Sequence, residues 1–583
     1  MTNPLLLPEI VGLVIGNIHI VPDLLNCACV NSIWSTEALK KLYQGSLNDM
    51  QFRTPDIESI NSLFVASRKR FARNMGFVKH LLLFPAAPAI DDAAEPRTRL
   101  ACFQRCRAMR HRQDAELLLQ QKGRRLASLT IPFEIIDQDW SHISDLLLTP
   151  TIEFLAIDDY YCEILMASSR YSRAPIGPAD KFANFKALTI YQSRLDGNID
   201  ELCRLLRACV LQFFHTQEPH TFDSLPGSNT EKLLPCLRLQ QNLRALALIT
   251  PNWDPLLTSE SLSLTEENHR SAWPKLKALS LRGWGPLWLE QLPKFEGLQI
   301  LRLKKPPRVH NITQIAIDNI AKCRHLQVID VTFDGLVDLK AFLDIAHGCP
   351  LLRGFSVMHL GFRVEAGRAK DLFMDLTRAL PRLEFLHLSL EFQMDGTMLQ
   401  DIACHFPRLS VLDLPQGQLI ISLASMMEIQ PLRHLESMHL SRIYFTNPRR
   451  MMQEDNFQSI VAEWRRVFPK LLGMSCPADF YSGSYLQVDE LNQGPEDGDG
   501  VSVDEEVLRS APELGFDDYE SHWMRLRTKL WRALGYRRDQ LINDKVQYMW
   551  QTNLGIETIG WPVVPLGAFS DPDSYSTTTN CLR

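Results

Sequence analysis

One polar residue stands at the same place in each of a series of apolar six-residue patterns: Ser280, Arg302, Asp330, Ser356, His387, Asp413, His439 and Ser475. Each lies between two residues that are mostly apolar, as His387 does between Leu386 and Leu388. Successive side chains of a strand point to opposite faces, so apolar neighbours that face a core turn the residue between them outward. If consecutive patterns form adjacent strands about 4.8 Å apart, the eight residues make one continuous strip. Arg302 beside Asp330 is then a cross-strand ion pair. Ser356, His387 and Asp413 have the composition of a hydrolytic triad, and His387, Asp413 and His439 that of a chelating set. Recognition is the chemistry this composition fits best, because no nucleophile elbow and no oxyanion-stabilising device accompanies the serine. Arg302, Asp330, His387, Asp413 and His439 are therefore expected to contact a protein substrate. No catalytic residue, metal or cofactor is expected.

The rest of the chain offers little competing chemistry. It contains no P-loop, no G-x-G-x-x-G, no H-E-x-x-H and no G-x-S-x-G. Cys102 and Cys106 lack a second ligand pair, and the sequence Asp497, Gly498, Asp499, Gly500 lacks the third ligand and closing Glu of a calcium loop. The 13 cysteines of the 583 residues fall far below disulfide-scaffold density and are expected to be reduced thiols of a cytoplasmic and/or nuclear protein. Lys and Arg number 62 against 68 Asp and Glu, so no global field attracts nucleic acid, and nucleic acid is not an expected partner. Arginines do crowd residues 68–73 and 99–112, which suits solvated helix faces or, alternatively, a local contact with nucleic acid or import machinery. The apolar run 10–22 has no basic residue before it, is bordered by Glu9 and is interrupted by Asn17 and His19. It is expected to be neither a signal peptide nor a membrane span.

These residues must be positioned by a repeat. The hexad L-x-x-L-x-L, with apolar substitutes, starts at Leu243, Leu276, Leu298, Leu326, Leu352, Leu383, Leu409, Leu435 and Leu471, at spacings of 22 to 36 residues. Weaker copies start at Val78, Leu126, Ile152 and Phe185, with a further one read as Val210 and Phe213. About a dozen copies at a mean period of about 28 residues describe one strand and one helix per repeat. The fold class expected is α/β: an irregular solenoid with a curved parallel sheet and outer helices, the helices falling at stretches such as 315–323 and 371–380. Cys323 and Cys349 stand three residues before their hexads, and His405 is assigned the equivalent place before Leu409. This resembles the cysteine-containing subclass of leucine-rich repeats. Trp284, Asp334 and Gly417 replace the Asn or Cys usual after the strand, which makes the repeat irregular.

Residues 4–48 lie outside the repeat and read as short helices carrying Ile10, Val11, Val14, Ile15 and Ile18, then Leu24, Leu25, Val30 and Trp34, with Pro22 and Asp23 starting the second. A 45-residue piece with this much apolar surface cannot bury it alone. Leu7, Pro8, Glu9 and Ile10 resemble the opening of an F-box, Asp23, Leu24 and Leu25 its middle, Val30 to Trp34 its valine-cysteine-arginine-x-tryptophan segment, and Leu42 and Tyr43 its end. The intervals of 15 residues from Pro8 to Asp23 and 11 from Asp23 to Trp34 match the family. Glu9 follows the proline directly where the family has one residue between. The resemblance implies binding to a Skp-type adaptor, and through it a cullin, by Leu7, Pro8, Ile10, Leu25, Val30 and Trp34. The chain is then a non-catalytic substrate receptor of a ubiquitin ligase. Helices that cap the end of a solenoid are the alternative.

The expected organisation is an F-box at 1–50, a helical connection with a first irregular repeat at 51–125, and the leucine-rich-repeat solenoid at 126–476. An acidic mobile linker at 484–510, C-terminal helices at 511–551 and a disordered tail at 570–583 follow. On the C-terminal helix Trp523, Leu526, Leu530, Leu534 and Leu541 form one apolar side, expected to close the solenoid's end rather than to lie on a membrane. Two other functions remain open at this point: a repeat scaffold without ligase association, and a hydrolase on the concave face.

Overall fold

A computed structural model describes residues 7–18, 21–44, 57–82, 126–131, 151–158, 162, 184–191, 195–217, 230–249, 273–281, 284, 286–303, 312–334, 340–360, 366–389, 392–446 and 448–475, with 526, 529, 530, 533 and 534. Cys102, Cys106, the 99–112 arginines, the 484–510 segment, Trp523, Leu541 and the 570–583 tail lie outside them. The chain divides into two compact units, residues 1–298 with 551–583, and residues 299–550.

The first unit begins with three helices, α1 (Pro8–Gly16), α2 (Val21–Ala28) and α3 (Ser32–Gln44). Pro8 opens α1, where its missing N–H costs no hydrogen bond. Asn31 Oδ1 accepts the N–H groups of Ile33 and Trp34 and starts α3. Val11, Ile15, Leu24 and Ala38 form a small fully buried centre. Lys41 Nζ donates to the carbonyl oxygens of Ile15, Gly16 and Ile18, so a cation closes the C-terminal end of α1. Two further helices, α4 (Ile57–Ala66) and α5 (Arg68–Met75), lead to the first strand, and Arg68 of the basic run lies 5.0 Å over the Phe64 ring.

Seven parallel strands follow in chain order: β1 (His80–Leu82), β2 (Ser128–Ile131), β3 (Phe154–Asp158), β4 (Ala187–Tyr191), β5 (Phe213–Gln217), β6 (Ala245–Ile249) and β7 (Ala278–Leu281). The Gln44 carbonyl at the end of α3 accepts the Lys79 N–H, 3.1 Å, so the helical segment joins the ladder directly. Leu129, Leu155, Leu188, Phe214, Leu246 and Leu279 share one register row and are buried. One expected copy needs correction. Val210 is 61% exposed, and the true triplet is Leu211, Phe214 and Thr216, each fully buried. Two adjacent phenylalanines and a threonine in the last core place disguise the register, and a slip of one residue turns every side chain to the other face.

The second unit contains β8 (Ile300–Leu303), β9 (Val328–Asp334), β10 (Gly354–Leu360), β11 (Phe385–Leu388), β12 (Phe392–Met394), β13 (Val411–Ile421), β14 (Ser437–Phe445) and β15 (Gly473–Ser475). All pairs are parallel in the order β8-β9-β10-β11-β13-β14-β15, and β12 pairs with the far end of β13. Between them run helices Ile312–Ile320, Lys340–Gly348, Ala366–Ala379, Gly396–His405, Leu423–Glu428 and Glu454–Val467. This is the α/β repeat architecture that the hexads imply. Parallel strands need such crossovers, and both faces of the pattern are thereby fixed. At Gly348 an added Cβ would overlap the Ala321 backbone of the preceding repeat, so only glycine admits this approach.

Each hexad is set by a turn in which its first leucine N–H bonds a carbonyl three residues earlier, as Leu326 does to Cys323, Leu352 to Cys349 and Leu409 to Phe406. Phe406, not His405, therefore holds the place equivalent to the cysteines. His405 lies one residue early and its Nδ1 is 2.9 Å from the Asp401 carbonyl oxygen. Cys349 Sγ donates to the carbonyl oxygens of Ile320 and Cys323, 3.3 and 3.5 Å, which explains a small weak donor at this point between repeats. Burial pushes the Cys323 and Cys349 thiols up to about 12, so they stay protonated. Leu526 and Leu530 are fully buried, and neighbouring groups bond to helix Glu454–Val467: Lys529 Nζ to Glu454, 3.0 Å, and Arg465 to the Ala533 carbonyl, 2.9 Å. Substituting Leu412→Ala should lower stability by about 2–5 kcal/mol through a cavity beneath the sheet, whereas the exposed Gln416→Ala should change it by less than about 0.5 kcal/mol. Thermal melts of the full chain check the pair, and equal effects would refute the inward register of β13.

Candidate functional site

The outward row of the strands of the second unit is continuous. Arg302 pairs in register with Asp330, Asp330 with Ser356, Ser356 with His387, His387 with Asp413, Asp413 with His439, and His439 with Ser475. Their inward neighbours Leu301, Ile329, Phe355, Leu386, Leu412 and Met438 are buried. Five residues expected to lie together thus do so, on β8, β9, β11, β13 and β14.

Hydrogen bonds divide the row into two clusters, each built around a carboxylate. In the first, Arg302 Nε donates to Asp330 Oδ2 at 2.8 Å and Ser356 Oγ donates to Asp330 Oδ1 at 2.9 Å. In the second, His387 Nδ1 lies 2.6 Å from Asp413 Oδ2 and His439 Nδ1 lies 2.8 Å from Oδ1, the contact to His387 being the better directed. Burial alone would raise the Asp413 carboxyl, but the charges and hydrogen bonds of His387 and His439 outweigh it and hold the group well below the usual carboxylate range. An ionised carboxylate only accepts, so its bond with His387 needs the hydrogen on Nδ1. His387 Nε2 is buried and has no hydrogen-bond partner among the described residues.

Depth separates the roles. The Asp330 and Asp413 side chains are 5% and 8% exposed, whereas that of Arg302 is 51% exposed. The carboxylates lie under the strip and orient what stands above them. Ser356, outside the five expected contacts, is the third member of the first cluster. The sequence signal for it was its place in the row. Farther along β14, Arg442 Nη1 donates to the Tyr444 hydroxyl, 2.9 Å. That pair lies past the hexad, where the apolar alternation continues through Leu419, Ile421, Ile443 and Phe445.

The arrangement argues against hydrolysis. Ser356 gives its hydrogen to Asp330 rather than to His387, so the row contains no link from nucleophile to base. Among the described residues no group of three His, Cys, Asp or Glu side chains could hold a metal.

A second candidate surface lies on the N-terminal helices. Leu7, Pro8, Ile10, Leu25 and Val30 are exposed, together with Leu13, Val14 and Val21. Trp34, expected beside them, is only half exposed and packs on the Val11, Ile15, Leu24 and Ala38 centre.

No protein-family description matches the chain, and no curated protein sequence does. Among solved structures it is similar to the yeast Rad7 and Elc1 complex, with a TM-score of 0.36 and 13% identity, over 72% of this chain and 91% of that one. The likeness is weak.

The buried pairing at Asp413 has a pH signature. A depressed folded pKa contributes stability above the unfolded value of about 4, and that contribution disappears as pH falls through the folded pKa. Asp413→Asn should therefore melt below the unsubstituted protein at pH 7, by an amount equivalent to about 1–3 kcal/mol, and the gap should hold to about pH 5 and narrow only in stronger acid. Melts from pH 3 to 7 measure this; identical curves at pH 7 would contradict it.

Proposed function

We propose that this chain is the substrate-recognition subunit of a cullin-RING ubiquitin ligase, acting in the cytoplasm and/or nucleus. In this reading residues 1–50 are an F-box that docks on a Skp-type adaptor, and the polar strip holds a protein substrate. The observation that carries it is the exposed apolar set on and beside α1 and α2. Leu7, Ile10, Leu13, Val14, Val21, Leu25 and Val30 are exposed, while among the described residues the buried centre of the segment is Val11, Ile15, Leu24 and Ala38, with Ile18, Cys27, Ala28, Ile33, Trp34 and Leu42 packed partly against it. So many exposed apolar side chains on so short a segment support a partner groove, where they would contribute about 25 cal/mol per Å² buried. The chain itself needs no active site, since its role is to raise the local concentration of a substrate lysine beside an enzyme bound elsewhere. The Ser356 to Asp330 bond favours this reading over the hydrolase.

Co-purification with a recombinant Skp-type adaptor tests the proposal. Leu25→Glu with Val30→Glu changes two exposed positions, so helical content should be retained. Adaptor affinity should fall about 30-fold or more for each anchor lost, the equivalent of about 2 kcal/mol. Trp34→Ala is a poor probe, because it also opens the helical centre. An unsubstituted chain that ignores the adaptor, or a folded double variant that binds it undiminished, would leave a repeat scaffold as the better description.

A further inference from the structure

The strip's exposed cation is preorganised for one kind of ligand. Arg302 is fixed through Nε by Asp330, and Asp330 is fixed in turn by burial and by the Ser356 hydroxyl. Among the described residues the Nη1 and Nη2 groups of Arg302 make no hydrogen bond, and the side chain is half in solvent. The guanidinium therefore offers a two-donor edge whose orientation is already set. Such an edge matches the two oxygens of a carboxylate, and Lys, a point charge, cannot reproduce it.

Charge narrows the ligand further. Asp330 sets a negative charge 2.8 Å from Arg302, so the guanidinium is not an uncompensated cation. A phosphate, at about −1.5 to −2, would gain one guanidinium and face a fixed carboxylate directly behind it. A monoanionic, planar carboxylate gains the same two hydrogen bonds with half the repulsion. The row continues through the buried Ser356, then His387, Asp413 and His439, one residue per strand at about 4.8 Å, so an extended chain crossing the strands from Arg302 would pass over the partly exposed imidazoles of His387 and His439.

We infer that the outward row of the second unit reads an Asp or Glu side chain on an extended, unmodified peptide, with Arg302 as the residue that contacts the carboxylate and with Asp330 and Ser356 as positioning residues. The inference rests on the substrate-receptor reading for its biological meaning, but it describes a property of the strip that can be measured alone.

The test is selection of a random 12-residue peptide library on the full chain, in parallel with Arg302→Gln and Arg302→Lys. The unsubstituted protein should enrich one acidic position, and both variants should lose that enrichment, Arg302→Lys retaining the charge beside Asp330 so that the fold is not in question. A synthetic peptide of the enriched sequence should bind at least tenfold more tightly than the same peptide with Gln or with phosphoserine at that position. Enrichment without an acidic position, no enrichment at all, an acidic preference unchanged in Arg302→Lys, or tighter binding of phosphoserine would each overturn the inference. Adaptor co-purification is scored separately: an Arg302-dependent acidic motif in a chain that ignores the adaptor removes the ligase reading alone, and the converse result removes this one alone.

Discussion

A short parallel strand with one buried face cannot slide by a single residue against its neighbour, because every leucine would then enter water and every polar side chain would enter the core. This constraint sets the rest of the second unit. From Gln299 to Ser410 one backbone carbonyl per repeat takes two N–H groups from the next strand, as Gln327 does from Arg353 and Gly354, and Arg353 does from Glu384 and Phe385. The register so fixed places Arg302, Asp330, Ser356, His387, Asp413 and His439 in one line without any of them having to find the others.

Two carboxylates in that line are removed from water, and each is held there by neighbouring donors and cations. Asp330 has a guanidinium and a hydroxyl, and Asp413 has two imidazoles. The arrangement exchanges desolvation for orientation. The groups left near the surface are donors with restricted rotamers, which lowers the entropy lost when a ligand arrives. A strip of equally polar but freely rotating side chains would have the same composition and much less selectivity.

The alternation of apolar and polar residues was enough to read the row, since period two is a local property of the chain and the hexad repeats often. It failed where a local pattern is ambiguous. Phe213 and Phe214 are equally apolar, so only the partners Leu188 and Leu246 decide which faces inward. His405 and Phe406 differ by one residue, and only the hydrogen bond from Leu409 decides which sets the turn. Direction of a hydroxyl hydrogen is beyond any spacing argument, so the row alone left open whether Ser356 serves His387 or Asp330; it donates to Asp330. Trp34 shows the same limit at the N-terminus: its place in the motif was legible, but its packing on the Val11, Ile15, Leu24 and Ala38 centre depends on how three helices meet.

The carbonyl that receives two N–H groups has a consequence for how such a chain tolerates change. Because neighbouring strands are locked by backbone atoms at one point per repeat, the segment between two strands can lengthen without disturbing either. Hexads 36 residues apart, at Leu435 and Leu471, and 26 apart, at Leu383 and Leu409, fit the same ladder. Insertions in the crossovers are therefore close to neutral for the sheet, while a single-residue deletion inside a strand would be felt along the whole line. A lineage carrying this fold can remodel the rim of its repeats freely and must keep the few positions of each hexad in step.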